Sequence, residues 1–369
     1  MNIINETCIN PGDRVLIRSS LNAALDVNGE VVDPLRLRRM IDTIDMVISS
    51  GGIPILLSHI SNDHRSTMEP VVRWFKNFAY NTILIKDYFP YNESLDNFIP
   101  HTVYVFENLR DYSGEKLADS KFAADLAKYG DLYVNESFDS AHRAHASTVI
   151  LPKLLPAYAG VNFAREVNEL SRVLDPDRPF SFIIGGAKIE TKLPLIEKLL
   201  DTADKVFVAG AIMNPLLAAQ GVEVGKSLMP EQPLDYSNII NRPNLELPVD
   251  FINQDQEVVS IDDTTPETSL LDIGPESIKA IDLLIEESDL VVWNGPLGNF
   301  EAGFATATTE IAAKLSTANC YSIIGGGDTL AAVDDKVQQG INWISTGGGA
   351  MLDFIESDGN LPAIKVLQL

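Results

Sequence analysis

The sequence predicts an α/β chain of two domains, each a doubly wound parallel sheet, and three observations carry the prediction. Short apolar runs without polar alternation recur along the whole length, which is how strands read when a parallel sheet buries both their faces. Between them lie stretches with apolar residues at helical spacing, so strand and helix alternate as they do where helices cover a sheet. The third observation is that the runs of the two halves end in different chemistry. RVLIRSSLN (14–22), PILLSH (54–59), TVYVFENLR (102–110) and DLYVNESFD (131–139) finish in Asn, His, Arg and carboxylates. FSFIIGGAK (180–188), KVFVAGA (205–211), LVVWNGPLG (290–298), CYSIIGGGD (320–328) and NWISTGGG (342–349) finish in glycine or small residues. Ligands of such sheets gather beyond the carboxyl ends of the strands. One crevice is therefore polar and partly basic, the other is bare backbone, and the halves are expected to hold different ligands.

Helices are expected over Leu35 to Ser49, with Leu37, Met40, Ile41, Ile44 and Val47 at helical spacing, and over Lys121 to Tyr129 and Leu193 to Leu200. Asn162 to Leu174 carries Val167, Leu170 and Leu174 on one stripe between LPKLLPAYAG and DPDRP, and the domain junction is placed there. The expected division is residues 1–158, a connecting helix over 159–175, and residues 176–355. Pro-rich and polar residues from Met229 to Pro248 read as a surface excursion.

Composition bounds the function. A chain of 369 residues with 45% hydrophobic side chains has the length of about two domains and ample apolar surface to bury. No apolar stretch approaches the roughly 20 residues of a membrane span, and MNIINETC lacks the basic and apolar regions of a signal peptide. The expectation is a soluble, cytoplasmic protein, and Cys8 and Cys320 are too few and too distant in sequence for a disulfide framework. A formal net charge of −24 argues against general nucleic-acid binding, which depends on clustered Lys and Arg. An acidic protein that binds an anionic small molecule has to concentrate its few cations locally.

Glycine at a strand end permits close backbone approach or a positive φ, and a helix that follows offers N–H groups to an anion. Repetition of such turns in one half favours a phosphate-bearing ligand. In GGGDT (325–329), Asp328 taken by itself reads as a helix N-cap before LAAV rather than as a ligand-binding residue. In GGAKIETK (185–192), a helix starting near Ile189 would bring Lys188 and Lys192 to the same crevice, although lone lysines are usually solvated. GVEVGKS (221–227) imitates a P-loop but has three residues, not four, between Gly221 and Gly225, and it follows a helical pattern, so Lys226 is read as a loop residue.

In the polar half, NESFDSAHRAHAS (135–147) contains His142, Arg143 and His145, with no Cys or carboxylate spacing to complete a zinc site. An arginine at a strand end beside histidines fits carboxylate or phosphate recognition better. Arg110 and Arg36 add cations to the same half, salt bridging being the alternative reading for each.

Together these segments resemble the phosphoglycerate kinase family over essentially the whole chain: RVLIRSSLN, ILLSH, FENLR, DLYVNESFDSAHRAHAST, RPFSFIIGGAKIETK, GVEVGKSL, LPVDF, DIGPES, VVWNGPLGNFE, YSIIGGGDT and ISTGGGA occur in the family's order. The resemblance implies two doubly wound, Rossmann-like domains facing across a cleft and joined by a helix, with the tail at 356–369 packing on the N-terminal, glycerate-binding domain. It implies a monomeric, hinge-bending enzyme of glycolysis that moves a phosphoryl group between 1,3-bisphosphoglycerate and ADP, with Mg²⁺ and ATP/ADP and no nucleic-acid or membrane partner. Asn22, Arg36, His59, Arg110 and Arg143 would hold the glycerate. Gly185, Gly186, Lys188, Lys192, Asn294, Pro296, Glu301, Gly325, Gly326, Gly327, Asp328 and Thr329 would bind the nucleotide. Of these, Asp328 would hold the metal, and Arg36, Lys188, Lys192, Gly326 and Gly327 would surround the transferring phosphate.

Four departures from the family pattern bear on the sites. Ser20 stands where relatives carry an Asp for the substrate hydroxyl, and Asn62 where they carry an Arg for the substrate phosphate, with His64 or Arg65 as candidate replacements. Asp139 replaces a Gly before HRAH, adding negative charge near an anion site, and AGA (209–211) replaces GGG beside the expected adenine position. An acyl-phosphate kinase for another carboxylate, or a nucleotide-binding paralogue without turnover, are the competing functions.

Overall fold

A computed structural model describes residues 1–32, 34–60, 67–78 and 80–368. Asn62, His64 and Arg65, invoked above for the lost arginine, lie outside the described residues. The chain forms two compact units, Met1–Asn168 with Ser357–Leu369, and Glu169–Glu356.

In the first unit the elements follow as β1 (Arg14–Arg18), α1 (Leu35–Ser49), β2 (Ile53–Leu57), α2 (Glu69–Asn77), β3 (Asn81–Ile85), β4 (Thr102–Phe106), α3 (Ser113–Lys116), α4 (Ser120–Ala127), β5 (Leu132–Asn135), β6 (Ala157–Ala159) and α5 (Val161–Ser171), the last running on into the second unit. The strands form a six-stranded parallel sheet in the order β3-β4-β2-β1-β5-β6. Every residue of β2 and β4 is buried, which is why their sequences are apolar without alternation. Helix α1 buries Leu37, Met40, Ile44 and Val47, each such aliphatic side chain contributing about 1.5–3 kcal/mol. Ile41, expected in that stripe, is only half-buried; Thr43 is buried instead because its hydroxyl donates to the Glu136 carboxylate.

Glu136 also starts α5. Its carboxylate accepts the N–H of Phe163 at 2.9 Å and of Asn162 at 3.4 Å, satisfying donors that the first helical turn leaves unpaired. Gly160 makes room for it, since a Cβ there would lie 2.0 Å from the Glu136 carboxyl carbon.

The second unit contains β7 (Phe180–Ile184), α6 (Leu193–Thr202), β8 (Lys205–Val208), α7 (Asn214–Ala219), β9 (Leu245–Glu246), β10 (Asp250–Ile252), β11 (Val258–Ser260), β12 (Asp272–Ile273), α8 (Pro275–Glu286), β13 (Leu290–Asn294), α9 (Thr306–Leu315), β14 (Tyr321–Gly325), α10 (Gly327–Ala331), α11 (Asp335–Gln338), β15 (Trp343–Ser345) and α12 (Gly349–Glu356). Its six-stranded parallel sheet has the order β15-β14-β13-β7-β8-β9, and β11-β10-β12 form a small antiparallel sheet. The stretch read as a surface excursion contributes β9 and the buried Ile239 to this unit. The chain then returns to the first unit, where α13 (Pro362–Leu367) buries Ala363, Ile364 and Leu367 and Ala363 N–H bonds the Ala141 carbonyl at 3.1 Å. Among the described residues no helix is long and apolar enough to cross a membrane.

Strand order reverses between β1 and β5 in the first sheet and between β7 and β13 in the second. Those reversals open the crevices where such sheets take ligands, and the residues described next end these strands and their neighbours. The Gly160 contact makes a prediction: Gly160→Ala destabilises the first unit by about 1–3 kcal/mol through overpacking against Glu136, read as a lowered midpoint in urea with an unchanged slope.

Candidate functional site

At the polar end of the first sheet the organising residue is one that sequence reasoning missed. Arg18 closes β1 and is 1% exposed. A guanidinium so buried needs its donors satisfied. Its Nε donates to Ser147 Oγ at 3.0 Å, Nη1 to the Ser19 carbonyl at 2.6 Å and Ser137 Oγ at 3.2 Å, and Nη2 to His59 Nδ1 at 3.2 Å. Ser147 Oγ in turn donates to the buried Glu115 carboxylate at 2.6 Å. Burial opposes charge on Glu115, but His145, Arg18 and Ser147 outweigh it and hold the carboxyl below its usual range. The available signal was a charged residue closing the apolar run Val15–Ile17.

The contact with Arg18 determines the state of His59. A guanidinium only donates, so Nδ1 has to accept, and the ring proton sits on Nε2. Burial, then the charge of Arg18, pushes the imidazole pKa down to about 2, so His59 is a neutral donor. Arg110, on the turn Leu109–Asp111 after β4, has its pKa lowered by burial and by the charges of Arg143 and Arg18. Arg143 is exposed and donates from Nε to His142 Nε2 at 3.1 Å. Arg36, in the first turn of α1, donates from Nη1 to the Asn22 carbonyl at 2.9 Å. The structure thus gathers Arg18, His59, Arg110 and Arg143 electrostatically, with Arg36 joined to them through Asp139.

Asp139 and Ser20 take definite positions. Asp139 points into the cation cluster: its Oδ2 lies 3.6 Å from Arg36 Nη1, and its Oδ1 accepts the Ser137 hydroxyl. Ser20 is 8% exposed and its Oγ is buried with no hydrogen-bond partner.

In the second unit the glycine turns are packed against one another. The N–H groups of Gly185 and Gly186 donate to the carbonyls of Asn294 and Pro296, both at 2.9 Å, and are thereby engaged within the turns. Glycine is required for approach: a Cβ on Gly185 would lie 2.2 Å from the Pro296 carbonyl oxygen. In AGA only the central residue needs glycine, Gly210 having φ +63°. Ala209 is fully buried in the core and Ala211 half-buried, so Ala209 presents nothing to a ligand.

The expected pairing of Lys188 and Lys192 on one helix does not form. Ile189–Thr191 is a single 3₁₀ turn and α6 starts at Leu193, because Pro194 lacks the N–H that a helix starting at Ile189 would bond to residue 190. Lys188 is exposed, whereas Lys192 folds inward and donates to the Gly185 carbonyl. Burial lowers the Lys192 pKa to about 8, with Asp328 opposing the shift. Asp328 is exposed in the first turn of α10 and is not its cap; Gly326 occupies that position. Thr329 Oγ1 accepts the Gly295 N–H at 2.9 Å, tying the β14 turn to the β13 turn. Asn294 is 5% exposed, and its Nδ2 is buried with no hydrogen-bond partner beside Gly325 and Gly326. Pro296 borders these turns through its carbonyl, Gly327 is open on its Cα face, and Glu301 is exposed on the turn Phe300–Ala302. Lys226 lies in a loop after α7.

Two parallel α/β units, one ending in guanidinium groups around a neutral imidazole and the other in interlocked glycine turns beside an inward-folded amine, define a kinase of two α/β domains. A family model described as "Phosphoglycerate kinase" matches residues 6–358. The phosphoglycerate kinase of Pelotomaculum thermopropionicum is 37% identical, with 96% of each chain covered. That of Legionella pneumophila is 37% identical over 100% of this chain and 98% of its own. Among solved structures, phosphoglycerate kinase from Coxiella burnetii superimposes with a TM-score of 0.83 at 34% identity, covering 99% of this chain and 98% of its own. The Pyrococcus horikoshii enzyme gives 0.86 at 26% identity with the same coverage. The chain belongs to the phosphoglycerate kinase family.

The state of His59 is directly measurable. Its folded pKa lies far below the 6.5 of an unperturbed histidine, so the stability it contributes is complete above that value and declines as pH falls below it. Nitrogen-15 spectra are expected to show a neutral Nε2–H ring unchanged between about pH 5 and 8; a ring that titrates in that range would contradict the assignment.

Proposed function

We propose that the chain catalyses reversible phosphoryl transfer between 1,3-bisphosphoglycerate and ADP, giving 3-phosphoglycerate and ATP. The observation that carries this reading is the cation cluster at the β1/β5 reversal, a concentration of Arg18, Arg36, Arg110 and Arg143 in a chain of net charge −24. Such a cluster suits a small ligand with more than one anionic group.

Arg36, Arg110 and Arg143 would pair with the carboxylate and phosphate of the glycerate, His59 would donate from Nε2, and Asn22 would contact the substrate beside Arg36. An acyl phosphate is already an activated donor, so no covalent nucleophile is needed; the protein aligns donor with acceptor and offsets charge on the transferred group. Lys192, held against the Gly185 carbonyl, would release that bond to meet a phosphate oxygen, and Lys188 is free of the turn to do likewise. Gly325, Gly326 and Gly327 would approach the transferring group, while Asn294, Pro296, Thr329 and Glu301 would border the nucleotide. Alignment of two substrates held by separate units requires hinge-bending, which also excludes water from the acyl phosphate.

Magnesium fits the donor set. The exposed Asp328 carboxylate is not occupied in capping its helix, and no cluster of three His, Cys, Asp or Glu side chains forms a cage among the described residues. One carboxylate together with substrate phosphates is the usual holding pattern for this ion, which supplies charge neutralisation of phosphate oxygens. We assign the enzyme to glycolysis in the cytoplasm, as a monomer; the free thiols of Cys8 and Cys320 agree with a reducing compartment.

A coupled assay with 3-phosphoglycerate and ATP tests the reading. Turnover is expected, and Lys192→Ala lowers kcat about 10²- to 10³-fold, the size of one lost donor to a developing charge; nucleotide binding without turnover at saturating substrate would refute it. Because the ammonium form binds phosphate and its pKa is lowered to about 8, kcat/KM for ATP falls as pH rises through that value. Lys192→Arg, charged throughout, flattens the profile.

A further inference from the structure

The inward orientation of Asp139 adds a function to the cation cluster. We propose that Asp139 is a built-in counter-anion to Arg36, so that the glycerate substrate has to take over a cation that already has a carboxylate partner. The inference deepens the reading of this strand end as the glycerate site and rests on it.

Three observations carry it. The Asp139 side chain is 10% exposed against 26% for Arg36, so the carboxylate stands behind the guanidinium. The carboxylate is anchored: Ser137 donates its hydroxyl to Oδ1, and Ser137 is itself held by the Asn135 side chain through its N–H at 2.9 Å and by Arg18 through its Oγ at 3.2 Å. Asp139 is thereby fixed in place, and it is Arg36 that exchanges partners. Last, the surrounding cations oppose one another. The charges of Arg143 and Arg18 both disfavour the cationic form of Arg110, whereas Asp139 favours it. Burial works against the Asp139 charge, yet Arg36 and Arg18 outweigh burial and keep the carboxyl ionised.

Without ligand, Asp139 relieves this repulsion and holds Arg36 at the mouth of the crevice. With ligand, the substrate supplies its own anions, and the fixed carboxylate becomes a surplus negative charge against which they bind. Asp139 is therefore a positioning residue that trades affinity for a ligand-free site that stays intact.

The experiment is calorimetric titration of the full chain with 3-phosphoglycerate, comparing wild type with Asp139→Asn, which keeps the shape and the Ser137 contact. Binding is expected to tighten about 5- to 30-fold, the effect of removing one like charge from a partly screened site. The dependence of Kd on salt should steepen, a response that a purely structural role would not move. The unliganded melting temperature should fall while the rise on adding 3-phosphoglycerate grows; Asp139→Ser serves if the Asn variant folds poorly. Unchanged affinity would overturn the proposal, and weaker binding would do so by showing that the carboxylate contacts the ligand. If wild type binds no 3-phosphoglycerate, the glycerate reading fails and takes this inference with it, an outcome distinct from equal binding by both proteins.

Discussion

A guanidinium buried at the end of a central strand is the constraint around which the first unit is arranged. Arg18 cannot be left with unmet donors in that position, and the residues that meet them come from different parts of the chain: Ser19 beside it, His59 after β2, Ser137 after β5, and Ser147 beyond. Each of these then acquires a property it would not have alone. His59 becomes a neutral donor of known tautomer, Ser147 a link to Glu115, and Ser137 the anchor of Asp139. The ligand-facing groups are therefore placed by a layer of hydrogen bonds behind them rather than by their own backbone positions.

The second unit solves placement differently. Its strand ends carry few side chains, and its geometry comes from backbone against backbone: Gly185 to Asn294, Gly186 to Pro296, Gly210 to Leu297. Lys192, Asn294 and Thr329 bring buried polar atoms to these turns, the first bonded to a carbonyl, the second without a partner and the third accepting the Gly295 N–H. A site built this way offers shape first and charge second, which suits a ligand whose identity lies partly in a flat base and partly in phosphates.

Much of this plan was legible in the sequence, and the exceptions have physical causes. Strands β2 and β4 announced themselves because burial on both faces leaves no polar positions in the run. Strand β3 lies at the sheet edge with only one of its five residues buried, and β9 to β12 are too short to show a period, so neither group stood out. Site residues at strand termini were visible because charge interrupts an apolar run there. Arg18 also closes its strand but was hidden because the partners that define its role, Ser137 and Ser147, lie 119 and 129 positions away, and Glu115 acts through Ser147, 32 positions on, and His145, with no local pattern. The Lys188 and Lys192 pairing failed because a proline reset the start of α6.

The interlocked turns of the second unit also govern how this half of the molecule can diverge. A side chain at Gly185 would meet the Pro296 carbonyl at 2.2 Å, one at Gly295 would meet Gly185 at 2.4 Å, and one at Gly210 would meet the Gly186 nitrogen at 2.6 Å. Each of these contacts is with backbone of another turn, which has no rotamer to change, so a single substitution at any of the three glycines shifts the neighbouring turn as well. The three turns therefore accept no side chain at these glycines, while the half-buried Ala211, whose backbone needs no such freedom, is where the same segment has room for a larger one.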